Sequence, residues 1–133
     1  MGFTMHQKVL FKHCDPAGIV FYPRYFEMMN DCVEAFFDGV GHPFETLHQS
    51  GAVPTAQIEA KFTAPSRHGD QLAIDLRVTR VGWSSLGIDL TARTEAETRF
   101  EASAVLVHVG GDGRPVPWPT DLKASLMREM EGR

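Results

Sequence analysis

Between positions 23 and 38, Arg24, Glu27, Asp31, Glu34 and Asp38 recur at steps of three and four, the spacing of one helix face. Tyr25, Phe26, Met28, Met29, Cys32, Val33, Ala35, Phe36 and Phe37 fill the remaining arc. An apolar arc that wide predicts a helix embraced by other structure, not one merely laid on a surface. Pro23 suits the first turn, where its missing N–H costs nothing, and Gly39 and Gly41 end the helix. Whatever fold the chain adopts must supply an apolar surface large enough to cover this segment.

The rest of the chain supplies it. Ile58, Ala60, Phe62 and Ala64 alternate with Gln57, Glu59, Lys61 and Thr63. After a turn at 65–70, Leu72, Ile74, Leu76 and Val78 alternate with Gln71, Asp75, Arg77 and Thr79. Leu86, Ile88 and Leu90 alternate in the same way with Asp89, Thr91 and Arg93. A period of two predicts half-buried strands of an antiparallel sheet. Val9 and Phe11 alternating with Lys8 and Lys12 predict a first strand at about residues 5–12. The stretch 102–109 is apolar on both faces, which predicts a more central strand. A helical turn is expected near Phe44–Leu47 and a terminal helix over 119–131. The order is strand, long helix, four strands and tail helix. It implies an α+β fold in which an antiparallel sheet of about five strands buries one helix. At 133 residues a single domain spanning 1–133 is expected.

A net charge of −4 weighs against a nucleic-acid partner, since such domains carry a basic surplus. A local cluster of Arg and Lys is still enough to hold a small anion. The two cysteines, Cys14 and Cys32, form no disulfide framework of secreted type. The first residues lack the basic flank and apolar run of a signal peptide. No stretch approaches the roughly 20 apolar residues of a membrane span. The expectation is a soluble, cytoplasmic protein with no membrane partner.

The segment leading into the helix carries the chemistry. Asp15 precedes Pro16, and an Asp there is common in turns, where its oxygen bonds nearby backbone. The context offers a second role. The expected cap position holds Tyr22, not Ser, Thr, Asp or Asn. The helix N–H donors are therefore left for water, or for an anionic or carbonyl ligand. An acid beside such a terminus can act on a carbonyl group, either as nucleophile or as the base that activates water. The donors and the helix dipole would then meet the developing oxyanion.

Other constellations carry less. His13, Cys14 and Asp15 alternate in extended chain and cannot easily converge on one ion, and no second cluster has ligand spacing, so no metal is expected. Cys14 lacks a base, because His13 points the other way. Ser84 and Ser85 lack a nucleophile-elbow pattern and read as hydrogen-bonding groups or a strand-opening turn. His42, His48, His68 and His108 are scattered.

The run Cys14-Asp15-Pro16-Ala17-Gly18-Ile19-Val20-Phe21-Tyr22-Pro23 resembles the signature of the 4-hydroxybenzoyl-CoA thioesterase family of hotdog-fold enzymes. Val53-Pro54-Thr55, and Pro65 with Gly69-Asp70, resemble weaker family features. The resemblance implies a curved antiparallel sheet wrapped around a long central helix. It implies hydrolysis of an acyl-CoA to free acid and CoA, with no cofactor. Asp15 would attack the thioester carbonyl or activate water, and the backbone N–H of Tyr22 would polarise the carbonyl oxygen. Gly18, Thr55 and Ser85 would stand beside the substrate. Two subunits would pair their sheets edge to edge with acyl-CoA across the interface, giving a dimer or a dimer of dimers, a homotetramer.

The chain departs from the family pattern twice. A basic run that clamps the nucleotide is replaced by Gly82-Trp83-Ser84-Ser85, leaving Arg80, Arg67 and Lys61 to meet the CoA phosphates. A helix acid that helps contact the aromatic substrate corresponds to Asn30. The sequence therefore reads as an acyl-CoA thioesterase for a small acyl group, with a 4-hydroxybenzoyl-like aromatic among the candidates. A non-catalytic acyl-CoA-binding hotdog module, and a thioesterase acting on acyl carrier protein, are the alternatives.

Overall fold

The computed structural model describes residues 2–132, so the two ends of the expected domain, Met1 and Arg133, lie outside the described residues. β1 (Phe3–Lys8) leads through a 3-10 turn (Phe11–His13) to helix α1 (Tyr22–Gly39), the short α2 (Phe44–Leu47) and β2 (Gly51–Ala52). β3 (Thr55–Phe62), β4 (Gln71–Val81), β5 (Ser85–Arg93) and β6 (Thr98–Val107) follow, then β7 (Val109–Gly110) and α3 (Thr120–Glu131). The main sheet is antiparallel throughout, in the order β1-β4-β5-β6-β3, and β2 pairs with β7.

Strand parity decides where the core lies. Val78 pairs with Ile88, Ile88 with Ala104, and Ala104 with Ile58, so inward side chains form a row across four strands. Leu76, Leu90 and Ala102 make the next row, also buried. α1 packs Tyr25, Met28, Met29, Cys32, Val33, Phe36 and Phe37 into this core. Leu122 and Leu126 of α3 are buried in the same cluster. Gly41, at φ +87°, takes the left-handed conformation that ends the helix turn, where a Cβ would be strained.

The sheet and its helix match the expected α+β architecture, and three details differ. The first strand ends at Lys8 instead of running to residue 12. Val9 is fully buried and exchanges main-chain hydrogen bonds with Gly69 and Asp70, and Leu10 N–H turns to His13 Nδ1 at 2.8 Å. The alternation of Val9 and Phe11 is therefore not strand pairing. Second, α1 is not embraced on all sides: Tyr22 is 58% exposed and Phe26 only partly buried, at the margins of a stripe of ordinary width. Third, β3 is an edge strand, so its alternation is not matched by burial, and Ile58 and Phe62 stay exposed. The expected more central strand is found as such: β6 lies inside the sheet, between β5 and β3.

Candidate active site

The Asp15 loop is built by its own hydrogen bonds. Cys14 and Val20 face each other in an antiparallel bridge. Inside it, Asp15 N–H donates to Ile19 O (3.0 Å) and Gly18 N–H to Asp15 O (2.9 Å). Gly18 has φ +82°, which explains why a glycine stands there. Asp15 Oδ1 accepts the Ala17 N–H at 2.9 Å, the side-chain turn that Asp before Pro favours. Among the described residues nothing donates to Oδ2. The carboxylate thus shapes its loop with one oxygen and leaves the other unpaired.

The bridge brings that loop back to the start of α1. Phe21 N–H donates to His13 O (2.9 Å), Pro23 has no N–H, and Arg24 N–H folds onto Phe21 O (2.8 Å). No side chain caps the helix. Tyr22 N–H is left without an acceptor among the described residues, at the positive end of the helix dipole. His13 is buried, and that burial, followed by the neighbouring Lys12 charge, lowers its pKa. Its Nδ1 accepts from Leu10 N–H, while Cys14 Sγ turns to Leu10 O at 3.8 Å. Neither group therefore activates the other.

A second layer, which sequence reasoning missed, lies behind the loop. Ser66 is fully buried, and its Oγ accepts from Tyr25 Oη (2.9 Å) and Arg99 Nη1 (3.0 Å). Arg99 Nη1 also donates to Asp70 Oδ2 at 2.7 Å. This bond, with the Arg67 N–H, holds the Asp70 carboxyl below its ordinary value. Burial pushes the Tyr25 phenol up, and its ring stacks on Phe62 with centroids 5.4 Å apart. The sequence offers little warning: Ser66 sits in a turn, and Arg99 lies out of phase with the inward row of β6.

The remaining candidates are dispersed. Thr55 lines a cavity of about 260 Å³ with Phe26, Met29, Asn30, Ile58 and Ala104. It opens between α1 and the β3 side of the sheet, where Ala104 is the small member of its row. Arg80 Nη2 donates to Ser85 Oγ at 3.3 Å, so those two stand together where β4 turns into β5. Lys61 lies on β3, three strand spacings from β4 and hence about 14 Å or more from Arg80. Arg67 is exposed in the 63–70 loop, near the Asp15 segment, because Ser66 O accepts Val20 N–H at 2.9 Å. Among the described residues no cluster of three His, Cys, Asp or Glu side chains could hold a metal ion. No helix of the described residues is long and apolar enough to cross a membrane.

Residues 9–126 match the model of the thioesterase-like superfamily. The chain belongs to that superfamily. A 4-hydroxybenzoyl-CoA thioesterase from a Pseudomonas strain is 33% identical over 78 residues, which cover 56% of this chain and 55% of that protein. The match thus spans about half the length of that relative. A 1,4-dihydroxy-2-naphthoyl-CoA hydrolase from a Synechocystis strain is 23% identical over 109 residues, covering 80% of this chain and 79% of the relative. In three dimensions the chain superposes on a Staphylococcus aureus protein solved in complex with CoA, at a TM-score of 0.94. Identity there is 15%, with 100% of this chain and 86% of that one covered. The architecture is the hotdog fold.

Proposed function

We propose that the protein hydrolyses a small acyl-CoA thioester to the carboxylic acid and free CoA. One observation carries the reading: the unpaired Asp15 Oδ2 and the unpaired Tyr22 N–H belong to one stitched unit, the Cys14–Val20 bridge and the helix start after it. A thioester carbonyl oxygen accepting the Tyr22 N–H gains polarisation there, and the helix dipole stabilises the oxyanion as it forms. Asp15 then attacks the carbonyl carbon, expelling CoA thiolate and leaving an anhydride that water cleaves, or it takes a proton from the water that attacks. Gly18 keeps the loop tight around the reacting group, and Thr55 and Ser85 contact the substrate. Arg80 meets the CoA phosphates, and Arg67 and Lys61, which stand apart from it, join only where a second subunit brings them alongside.

The relatives' names are both those of enzymes acting on aromatic CoA esters, and the cavity suits that class. Its walls are apolar apart from Asn30 and Thr55, and about 260 Å³ is near the small end of ligand pockets, better matched to a ring than to a long chain. Ala104→Leu adds three carbons to its floor. We expect it to raise KM for aromatic acyl-CoA about tenfold or more, with a smaller effect on a short acyl chain, in steady-state assays. An unchanged KM for both would remove this cavity from the substrate path.

The deciding measurement is thiol release from a panel of aromatic, short-chain and long-chain acyl-CoA esters. Binding without thiol release from any member would make the protein a binding module. Faster turnover of the same acyl groups on acyl carrier protein would reassign the carrier.

A dimer or dimer of dimers completes the reading. β3 is an unpaired edge bearing the exposed Ile58 and Phe62, and a second copy pairing there would cover both. Ile58→Lys is expected to shift the mass by light scattering from dimer or tetramer toward monomer. A fully active monomeric parent would refute the shared site. We place the protein in the cytoplasm, where Cys14 and Cys32 stay reduced. Burial pushes the Cys32 thiol up to about 12.

A further inference from the structure

The segment that presents Asp15 is anchored at both stems to one loop, residues 63–70. At its start, Val9 N–H donates to Asp70 O and Gly69 N–H to Val9 O, both at 2.8 Å. At its end, Val20 N–H donates to Ser66 O at 2.9 Å. That loop is held in turn by the first two residues of β6: Thr98 O accepts the Thr63 hydroxyl at 2.8 Å, and Arg99 holds it at four further points. Arg99 O accepts Thr63 N–H (2.9 Å) and Ala64 N–H (3.3 Å), while Arg99 Nη1 reaches Ser66 Oγ and Asp70 Oδ2. Glu97 Oε1 lies 3.0 Å from Arg99 Nε but off the line of its N–H, so that pair forms no hydrogen bond. The directed grip of the guanidinium is therefore on the 63–70 loop. Ser66 also takes the Tyr25 hydroxyl, which ties the first turn of α1 to the same point.

We propose that Arg99, acting through Ser66, is a positioning residue that fixes the Asp15 loop against the N-terminus of α1; this rests on the reading of Asp15 as the reacting carboxylate. Arg99 is 9% exposed and Ser66 is fully buried, so neither lies open to a substrate. Their effect passes through Val20, the residue that closes the Asp15 loop by bridging to Cys14. Loosening Ser66 frees the Val20 stem and leaves only the Cys14–Val20 bridge and the Phe21–His13 bond to hold the separation between Asp15 Oδ2 and Tyr22 N–H. A misplacement of about 1 Å in such a pair costs about 100-fold in rate.

The test compares Ser66→Ala, Arg99→Met and Arg99→Lys by steady-state kinetics, with rates expressed per folded molecule and measured well below each variant's Tm. Arg99→Met should lower kcat about 100-fold and Ser66→Ala about tenfold, with KM moving less than about threefold. Arg99→Lys, which keeps one donor to Ser66 or Asp70, should recover part of the loss. In the Asp15→Asn background, Arg99→Met should change the residual rate by less than about twofold, because the group it positions is already gone. A parental kcat per folded molecule in both Ser66→Ala and Arg99→Met would overturn the proposal, and so would equal losses in the two backgrounds. If Arg99→Met does not fold, Ser66→Ala alone decides, since it deletes one hydroxyl and leaves the Arg99–Asp70 bond. A parental rate in Asp15→Asn by itself would instead refute the carboxylate's role, and is read independently of either positioning variant.

Discussion

Asp15→Asn is expected to lower thiol release from acyl-CoA by about 1000-fold, within the range that a lost acid–base group costs, and to leave the fold and the oligomer intact. The substitution separates the two jobs of one side chain. Asp15 Oδ1 accepts the Ala17 N–H and closes the turn, and the carbonyl oxygen of Asn can accept the same bond. Only the charge and the unpaired oxygen are lost. An Asn amide is neither a base nor a nucleophile toward a thioester, so the chemical step should fail while substrate still binds. The signature is therefore a collapse of kcat with KM and Tm close to the parent's. Asp15→Ala should remove the turn bond as well, adding a stability loss of about 0.5–1.5 kcal/mol to the same kinetic defect. Parental turnover in Asp15→Asn would reduce Asp15 to a turn former and leave the Tyr22 N–H without a catalytic partner.

How far this was legible from the sequence depends on whether the information is local. The periods of α1, β4 and β5 are local, and each element lies within a residue or two of where its spacing puts it. The Asp15 turn was legible for the same reason, since Asp, Pro and Gly preferences act within four residues. Strand order is not local. Ile58 and Phe62 alternate like residues of a half-buried strand, yet β3 lies at the edge, and period alone cannot say whether a neighbour covers it. Ser66 and Arg99 are 33 positions apart in sequence and meet only because β3 and β6 pair. Val9 shows the same limit: its side chain joins the core although β1 ends at Lys8, and its main chain bonds Gly69 and Asp70 of the 63–70 loop. The clearest gain from the structure is that both readings of Asp15, turn former and free carboxylate, hold at once on different oxygens.

Phe37→Ala is expected to have the largest effect on stability, and none of comparable size on the chemical step. The ring is fully buried, with centroids 5.5 Å from Phe36, 5.6 Å from Phe44 and 6.4 Å from Trp118. It joins α1 to α2 and to the stretch before α3. Trp118 in turn donates to Ser85 O (3.0 Å) and stacks on His108, so the contact reaches the start of β5. Truncating such a Phe removes its transfer free energy and leaves a cavity, about 3–5 kcal/mol in all. Against a total stability of about 5–15 kcal/mol that is a large share, and for a domain of this size it lowers Tm by roughly 10–20 °C. Phe37 is fifteen residues along α1 from Tyr22, about 22 Å by helical rise. The rate per folded molecule well below Tm should therefore stay within about twofold of the parent's. Calorimetry and thiol release on the same sample check both halves. A Tm change of only a few degrees would mean that neighbouring rings close the gap. A large loss of kcat would instead mean that the far end of α1 is coupled to its N-terminus, and that the site depends on the whole helix rather than on its first turn.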